Sequence, residues 1–201
     1  MRTGAAPRPG TTSYYDAGEL ASLGLKRCGS DVQLSRHARI YSPETIEIGE
    51  HSRIDDFCIL SGPLTIGNFV HIAAYVALFG RGGIILEDYV GISARTLVYS
   101  VSDDFSGGHL AGPTIPEAHR GVTSAPVIFR RFSIVGAGSV ILPGVTLDEG
   151  AAIGAMSLVR TNAPAWKVSV GVPAKPIKDR ARDMVGLAGE AGSKRQPSEG
   201  S

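Results

Sequence analysis

Aliphatic side chains recur at every sixth position through the middle of this chain. The run reads Ile48, Ile54, Leu60, Ile66, Ile72 and Leu78, then in shifted phase Leu86, Ile92 and Val98, and after a gap Val135, Ile141, Leu147, Ile153 and Val159. The next residue is often small or acidic, as in Ile54-Asp55, Ile66-Gly67 and Ile153-Gly154, and a small or β-branched residue often follows four places on, as with Ser52, Cys58, Val70, Thr96 and Ser157. A period of six suits neither a helix nor a plain alternating strand, but it suits a short strand and a turn repeated around a solenoid. It therefore predicts an all-β parallel helix in which three hexads make one triangular coil. Roughly five to six coils are expected between about Val32 and Val159, with the aliphatic residues stacked inside.

Two breaks interrupt the beat. A slip of two residues near Gly82-Gly83-Ile84-Ile85 reads as a bulged turn, and the segment from about 102 to 125, with Gly107, Gly108, Pro113 and Pro116, reads as a protruding loop. In a compact solenoid such a long loop is more often functional than incidental. Tyr14 to Leu25 is expected to form a short helix over the first coil, and Lys178 to Leu187 a terminal helix. Residues 1–12 and the Gly-, Ser- and Lys-rich tail have the composition of disordered chain, so the domain is placed at 13–180 with 181–201 as a largely disordered extension.

Composition narrows the function. With 20 basic and 19 acidic residues, the formal charge of +1 supplies no general attraction to nucleic acid or to an anionic membrane. Two cysteines, Cys28 and Cys58, cannot build a disulfide framework and read as small apolar fillers. The first dozen residues lack the apolar centre of a signal peptide, and no later stretch is apolar for eighteen residues. These features imply a cytoplasmic protein without a membrane span.

The run Val135-Gly-Ala-Gly-Ser-Val-Ile-Leu-Pro-Gly-Val145, followed by Ile153-Gly-Ala-Met-Ser-Leu-Val159 and Gly171-Val-Pro-Ala-Lys175, resembles the coenzyme-A-binding end of the left-handed β-helix hexapeptide acyltransferases. Arg53 to Gly62, Val70 to Tyr75, Ser102 to Gly107 and Pro113 to Pro116 resemble their sugar O- and N-acetyltransferase branch, most closely the members that acylate dTDP-linked 4-amino-4,6-dideoxy sugars. The resemblance implies acetyl-CoA as co-substrate and a homotrimer with active sites in grooves between subunits. It also implies acyl transfer to the amine of a nucleotide-linked amino sugar. The alternatives are an O-acetyltransferase of a sugar, glycoside or antibiotic precursor, and a non-catalytic β-helix binding protein.

Transfer from a thioester requires alignment of two substrates, loss of a proton from the nucleophile and stabilisation of an oxyanion, and needs no nucleophilic Ser or Cys. Related sugar acetyltransferases carry a histidine at the start of the loop; here its place falls on Asp103, a replacement base or an acceptor binder. His71, expected to point outward from its hexad, is the alternative base. Asp56 is expected to face the groove more freely than Asp55, which reads as a turn carboxylate. Asp104 is a further acceptor candidate, and Arg81 and Arg95 are candidates for a pyrophosphate because guanidinium binds phosphate bidentately.

By the resemblance, Ala137 and Ala155 lie where the pantetheine arm runs beside the backbone, and Arg160, Lys175 and Lys178 could meet the nucleotide phosphates. His37, His51, His109 and His119 read as surface groups. No two histidines are five positions apart, so the pair expected for a zinc hydratase on this fold is missing and no metal is expected. Trp166 is expected to cover the last coil.

Overall fold

The computed structural model describes residues 13–193. Three parallel sheets form the faces of a prism. The first face stacks Arg27–Cys28, Ile46–Ile48, Leu64–Ile66, Ile84–Leu86, Val127–Phe129 and Thr146–Leu147. The second stacks Gln33–Leu34, Arg53–Ile54, His71–Ile72, Gly91–Ile92, Ile134–Val135, Ala152–Ile153 and Lys167–Gly171, closed by antiparallel Ala174–Asp179. The third stacks Arg39–Tyr41, Ile59–Ser61, Ala77–Phe79, Leu97–Tyr99, Val140–Ile141 and Leu158–Val159.

The six-residue beat maps directly onto this stack. Ile48 pairs in register with Ile66, Ile54 with Ile72 and Leu60 with Leu78. Each of these side chains is essentially sealed from solvent. Burying one such aliphatic residue contributes about 1.5–3 kcal/mol, so the three inward columns are the main stabilising feature. Where the small residue four places on carries a hydroxyl, that group can tie neighbouring coils together at the corner, as at Ser52. Ser52 Oγ donates to Gly67 O at 2.8 Å and accepts from Val70 N at 3.0 Å, tying one coil to the next.

The slip near Gly82 costs the sheet no register. Gly83 N bonds Gly80 O at 2.7 Å, so the two extra residues are absorbed in the corner, and Ile84 still pairs with Leu64. The long insertion becomes an antiparallel ribbon, Val101–Asp103 against Val122–Ser124, with a 3₁₀ turn at Glu117–His119.

The ends differ from expectation in extent. The first helix is Ala17–Ser22, begun by a reciprocal cap in which Asp16 accepts from Glu19 N and Glu19 accepts from Asp16 N. Lys178 lies in the closing strand and not in a helix; the terminal helix is Met184–Ser193. The strand prevails because Val168 and Ser169 offer it an open sheet edge. Residues 1–12, and 194–201 of the tail, lie outside the described residues.

The corners hold a feature that the repeat did not reveal. Left-handed backbone is needed there, yet Phe57, Phe69, Tyr75, Tyr89, Phe132 and Trp166 all sit at positive φ. That conformation costs a non-glycine residue about 1–2 kcal/mol, and aromatic stacking between coils returns about 0.5–1.5 kcal/mol per pair. His51, Phe69, Tyr89 and Phe132 stack along one corner with centroids 4.9, 5.0 and 5.2 Å apart, and Trp166 ends the column 6.3 Å beyond Phe132. Trp166 is 8% exposed and does cover the last coil.

Candidate active site

The second corner carries a strip of small residues. Ala74, Ala94, Ala137 and Ala155 occupy equivalent places after Ile72, Ile92, Val135 and Ile153. Ala137 and Ala155 are exposed, and neighbouring coils join here through Gly138 N to Ala94 O at 3.0 Å and Met156 N to Ala137 O at 2.9 Å. Gly136 must be glycine, since a Cβ would lie 2.4 Å from Ala155 N. In the column beside the alanines, Gly154 and Gly136 lead down to Ser93. Ser93, half-buried, stands beside Ala94 on this strip, and Ala73 and Ala74 continue it one coil further.

At the C-terminal end of the strip, Arg160 is exposed just past Leu158–Val159, and Lys175 and Lys178 are exposed on the closing strand. Arg95 stands at the same corner, its guanidinium 5.8 Å from the Tyr75 ring centroid. The second-face and ribbon candidates fall into two separate networks.

The first network centres on His71. Its Nε2 lies 2.9 Å from Asp55 Oδ2, while Asp55 Oδ1 accepts from Arg53 Nε at 2.6 Å and from the Tyr14 hydroxyl at 3.1 Å. Burial resists ionisation of Asp55, but bonds from Arg53 and His71 outweigh it and hold the carboxyl below its usual range. Asp55 reaches His71 in the coil above, while Asp56 accepts from the Ser35 hydroxyl. The cause is register. His71 stacks on Arg53, which brings the residue after Ile54 beneath the imidazole.

The second network lies in the ribbon. Asp103 accepts from Gly112 N and from Arg120 Nη2, each at 3.2 Å. Asp104 is used within the loop, accepting from Ser106 N at 2.7 Å and pairing with His109 Nδ1 at 2.9 Å. Bonds from Ser106 and then His109 hold its carboxyl far below the usual range. Asp104 therefore shapes the loop tip, and His109 is its partner rather than an isolated surface group. Arg81 lines a cavity of about 360 Å³ with Val101, Glu117, Arg120, Val122 and Ser124.

Asp55, read chiefly as a turn carboxylate, is bonded to His71, and Tyr14 and Arg120 join these networks without having been singled out in the sequence. The stacking rule carried the signal for Asp55, because it follows Ile54 and His71 precedes Ile72. Arg120 had none, since it reaches Asp103 only once the loop folds as a ribbon. Among the described residues no group of three His, Cys, Asp or Glu is placed to hold a metal, and no helix is long and apolar enough to cross a membrane.

No family model matches the chain. An acyltransferase of dTDP-4-amino-4,6-dideoxy-D-glucose from Escherichia coli is 39% identical over 178 residues, covering 87% of this chain and 93% of the relative. The chain belongs to the hexapeptide-repeat acyltransferases. AntD, an N-acyltransferase from Bacillus cereus solved with dTDP and 3-hydroxybutyryl-CoA, superposes on this acyltransferase with a TM-score of 0.89 and 47% identity, covering 90% of this chain and 97% of its own. AntD has also been solved with dTDP-4-amino-4,6-dideoxyglucose and coenzyme A, and with substitutions at a serine or at an aspartate ten residues further along. An acetyltransferase from Vibrio cholerae solved with acetyl coenzyme A shares the fold at 19% identity and a TM-score of 0.58.

Proposed function

We propose that this acyltransferase moves an acetyl group from acetyl-CoA to the amine of a nucleotide-linked amino sugar, with dTDP-4-amino-4,6-dideoxy-D-glucose as the leading acceptor. The observation that carries the reading is the conjunction of the alanine strip, which passes beside Ser93, with a carboxylate, Asp103, on the ribbon. Ser93 and Asp103 stand ten residues apart, the spacing of the serine and aspartate substituted in AntD. Ser169 and Asp179 share that spacing, but they sit in the closing hairpin, away from the long loop.

The pantetheine arm lies along Ala155 and Ala137, its amides bonding exposed backbone groups, and Arg160, Lys175 and Lys178 face the nucleotide phosphates. The thioester carbonyl arrives beside Ser93. Asp103 receives the acceptor amine, orients its lone pair and accepts the one proton that the attack releases, which it then passes to the departing thiolate. Nitrogen attacks the carbonyl carbon, the N–C bond forms, the C–S bond breaks, and the amine proton ends on the departing sulfur as free coenzyme A. No covalent enzyme intermediate is needed.

Ser93 lies at the corner between the second and third faces, whereas the Asp103 ribbon springs from the corner between the third and first. One coil keeps these corners apart. A homotrimer resolves the separation, because the ribbon of one chain then reaches the alanine strip of its neighbour. The cytoplasm, where acetyl-CoA and nucleotide sugars meet, is the setting we assign.

Calorimetry tests the arrangement. Acetyl-CoA and dTDP should each bind once per chain and without competition, and mutual exclusion of the two would contradict a ternary complex.

A further inference from the structure

The guanidinium of Arg120 is almost enclosed, at 13% side-chain exposure, yet among the described residues its one hydrogen bond is the 3.2 Å contact from Nη2 to Asp103 Oδ1. Its Nε is buried with no hydrogen-bond partner among the described residues. Leaving a buried donor unused costs about 1–3 kcal/mol, and folded proteins seldom tolerate that without a use for the group.

The ribbon's register shows what surrounds this cation. Val101 pairs with Ser124, Ser102 with Thr123 and Asp103 with Val122. Alternation therefore puts Val101, Asp103, Val122 and Ser124 on one side of the ribbon. That side looks onto the 360 Å³ cavity, and Arg81, from the corner turn below, lines it together with Arg120. Two guanidinium groups and a hydroxyl thus share a cavity on the Asp103 side of the ribbon. Glu117 lines it as well, which disfavours a free polyanion and suits a ligand that presents hydroxyl donors beside its phosphates.

We infer that Arg120 is a positioning residue that couples two events: it holds the Asp103 carboxylate in place, and with Arg81 it receives the diphosphate of the acceptor in the cavity under the ribbon. The inference rests on the acceptor reading given above. Phosphate arrival completes the hydrogen bonding of a cation already tied to Asp103, so anchoring the nucleotide also fixes the group that meets the amine.

Thymidine diphosphate and acetyl-CoA are the probes, titrated calorimetrically into the parent enzyme and into Arg120→Gln, Arg120→Lys and Arg81→Gln. Arg120→Gln is expected to weaken dTDP binding by about tenfold or more, Arg81→Gln by several-fold, and neither to move acetyl-CoA affinity beyond about twofold. Arg120→Lys keeps the charge but loses the planar fork; it should recover dTDP affinity to within about fivefold while kcat stays down by more than about tenfold. A folded Arg120→Gln enzyme that binds dTDP within twofold of the parent overturns the inference. If that variant does not fold, full kcat in Arg120→Lys together with unchanged dTDP affinity in Arg81→Gln overturns it equally. A parent enzyme with no affinity for dTDP would instead remove the acceptor reading, and this inference with it.

Discussion

His71 and Asp55 are joined across one coil of the prism, with Nε2 and Oδ2 2.9 Å apart, and the same carboxylate is gripped by Arg53 and Tyr14. Burial opposes the charge on Asp55, and its donors prevail, so the group titrates below its ordinary value in the folded chain. A carboxylate held low stabilises the fold at pH above its unfolded pKa of about 3.9, and the benefit disappears as pH falls through the folded value. Asp55→Asn should therefore lower the melting temperature at neutral pH and flatten its decline below about pH 4. Superimposable melting curves for the two proteins at both pH values would show that the cluster contributes nothing.

The same cluster bears on catalysis. Under the proposed reading the amine meets Asp103, and His71, bonded through Nε2 to Asp55 on the second face, takes no proton from it. His71→Ala is expected to change kcat by less than about tenfold, whereas Asp103→Asn, which removes charge where the amine is received, should lower kcat by about 10²- to 10³-fold with acetyl-CoA affinity preserved. Steady-state kinetics with both substrates varied would separate the two residues, and the reverse ranking would return the base to His71.

Trp166 closes the C-terminal end of the aromatic corner, and Gly150 makes room for it. A Cβ on Gly150 would lie 2.4 Å from the indole ring, and its φ of +65° already disfavours any other residue. Gly150→Ala is expected to destabilise the domain by about 2–4 kcal/mol, from steric overlap added to backbone strain. Chemical denaturation would register this as a lower midpoint with little change in slope.

The extent to which the chain announced itself follows from which forces are local. The inward columns were legible because stacking repeats the same burial at Ile48, Ile66 and their neighbours, so the sequence repeats too. Ala137 and Ala155 were singled out by the family resemblance, and the Trp166 cap by its place just past the last repeat. The aromatic corners were not legible, since Phe69 and Tyr89 occupy positions where a small or flexible residue is the usual answer to left-handed backbone, and only stacking between coils explains them. The Asp55–His71 contact was not legible from the Asp55 hexad alone, because it depends on which residue the coil above places over the corner. Arg120 acts through a ribbon pairing set by the fold of a loop with no repeat.

The cationic end of the alanine strip gives a separate test of donor binding. Lys175 is exposed beside the last coil, and its replacement by alanine should weaken acetyl-CoA about tenfold through loss of a charge-assisted phosphate contact while leaving dTDP affinity unchanged. Fluorescence or calorimetric titration of each ligand would check this, and equal losses for both would detach Lys175 from the donor site.

The central claim is the identity of the reaction, and mass spectrometry of the products tests it most directly. Purified enzyme incubated with acetyl-CoA and dTDP-4-amino-4,6-dideoxy-D-glucose should release one free coenzyme A for each nucleotide sugar that gains a single acetyl group on its 4-amine, and the 4-hydroxy analogue of the same nucleotide sugar should remain unmodified. Acetylation of that hydroxyl analogue, or of a free sugar, with the amino sugar left untouched, would contradict the account.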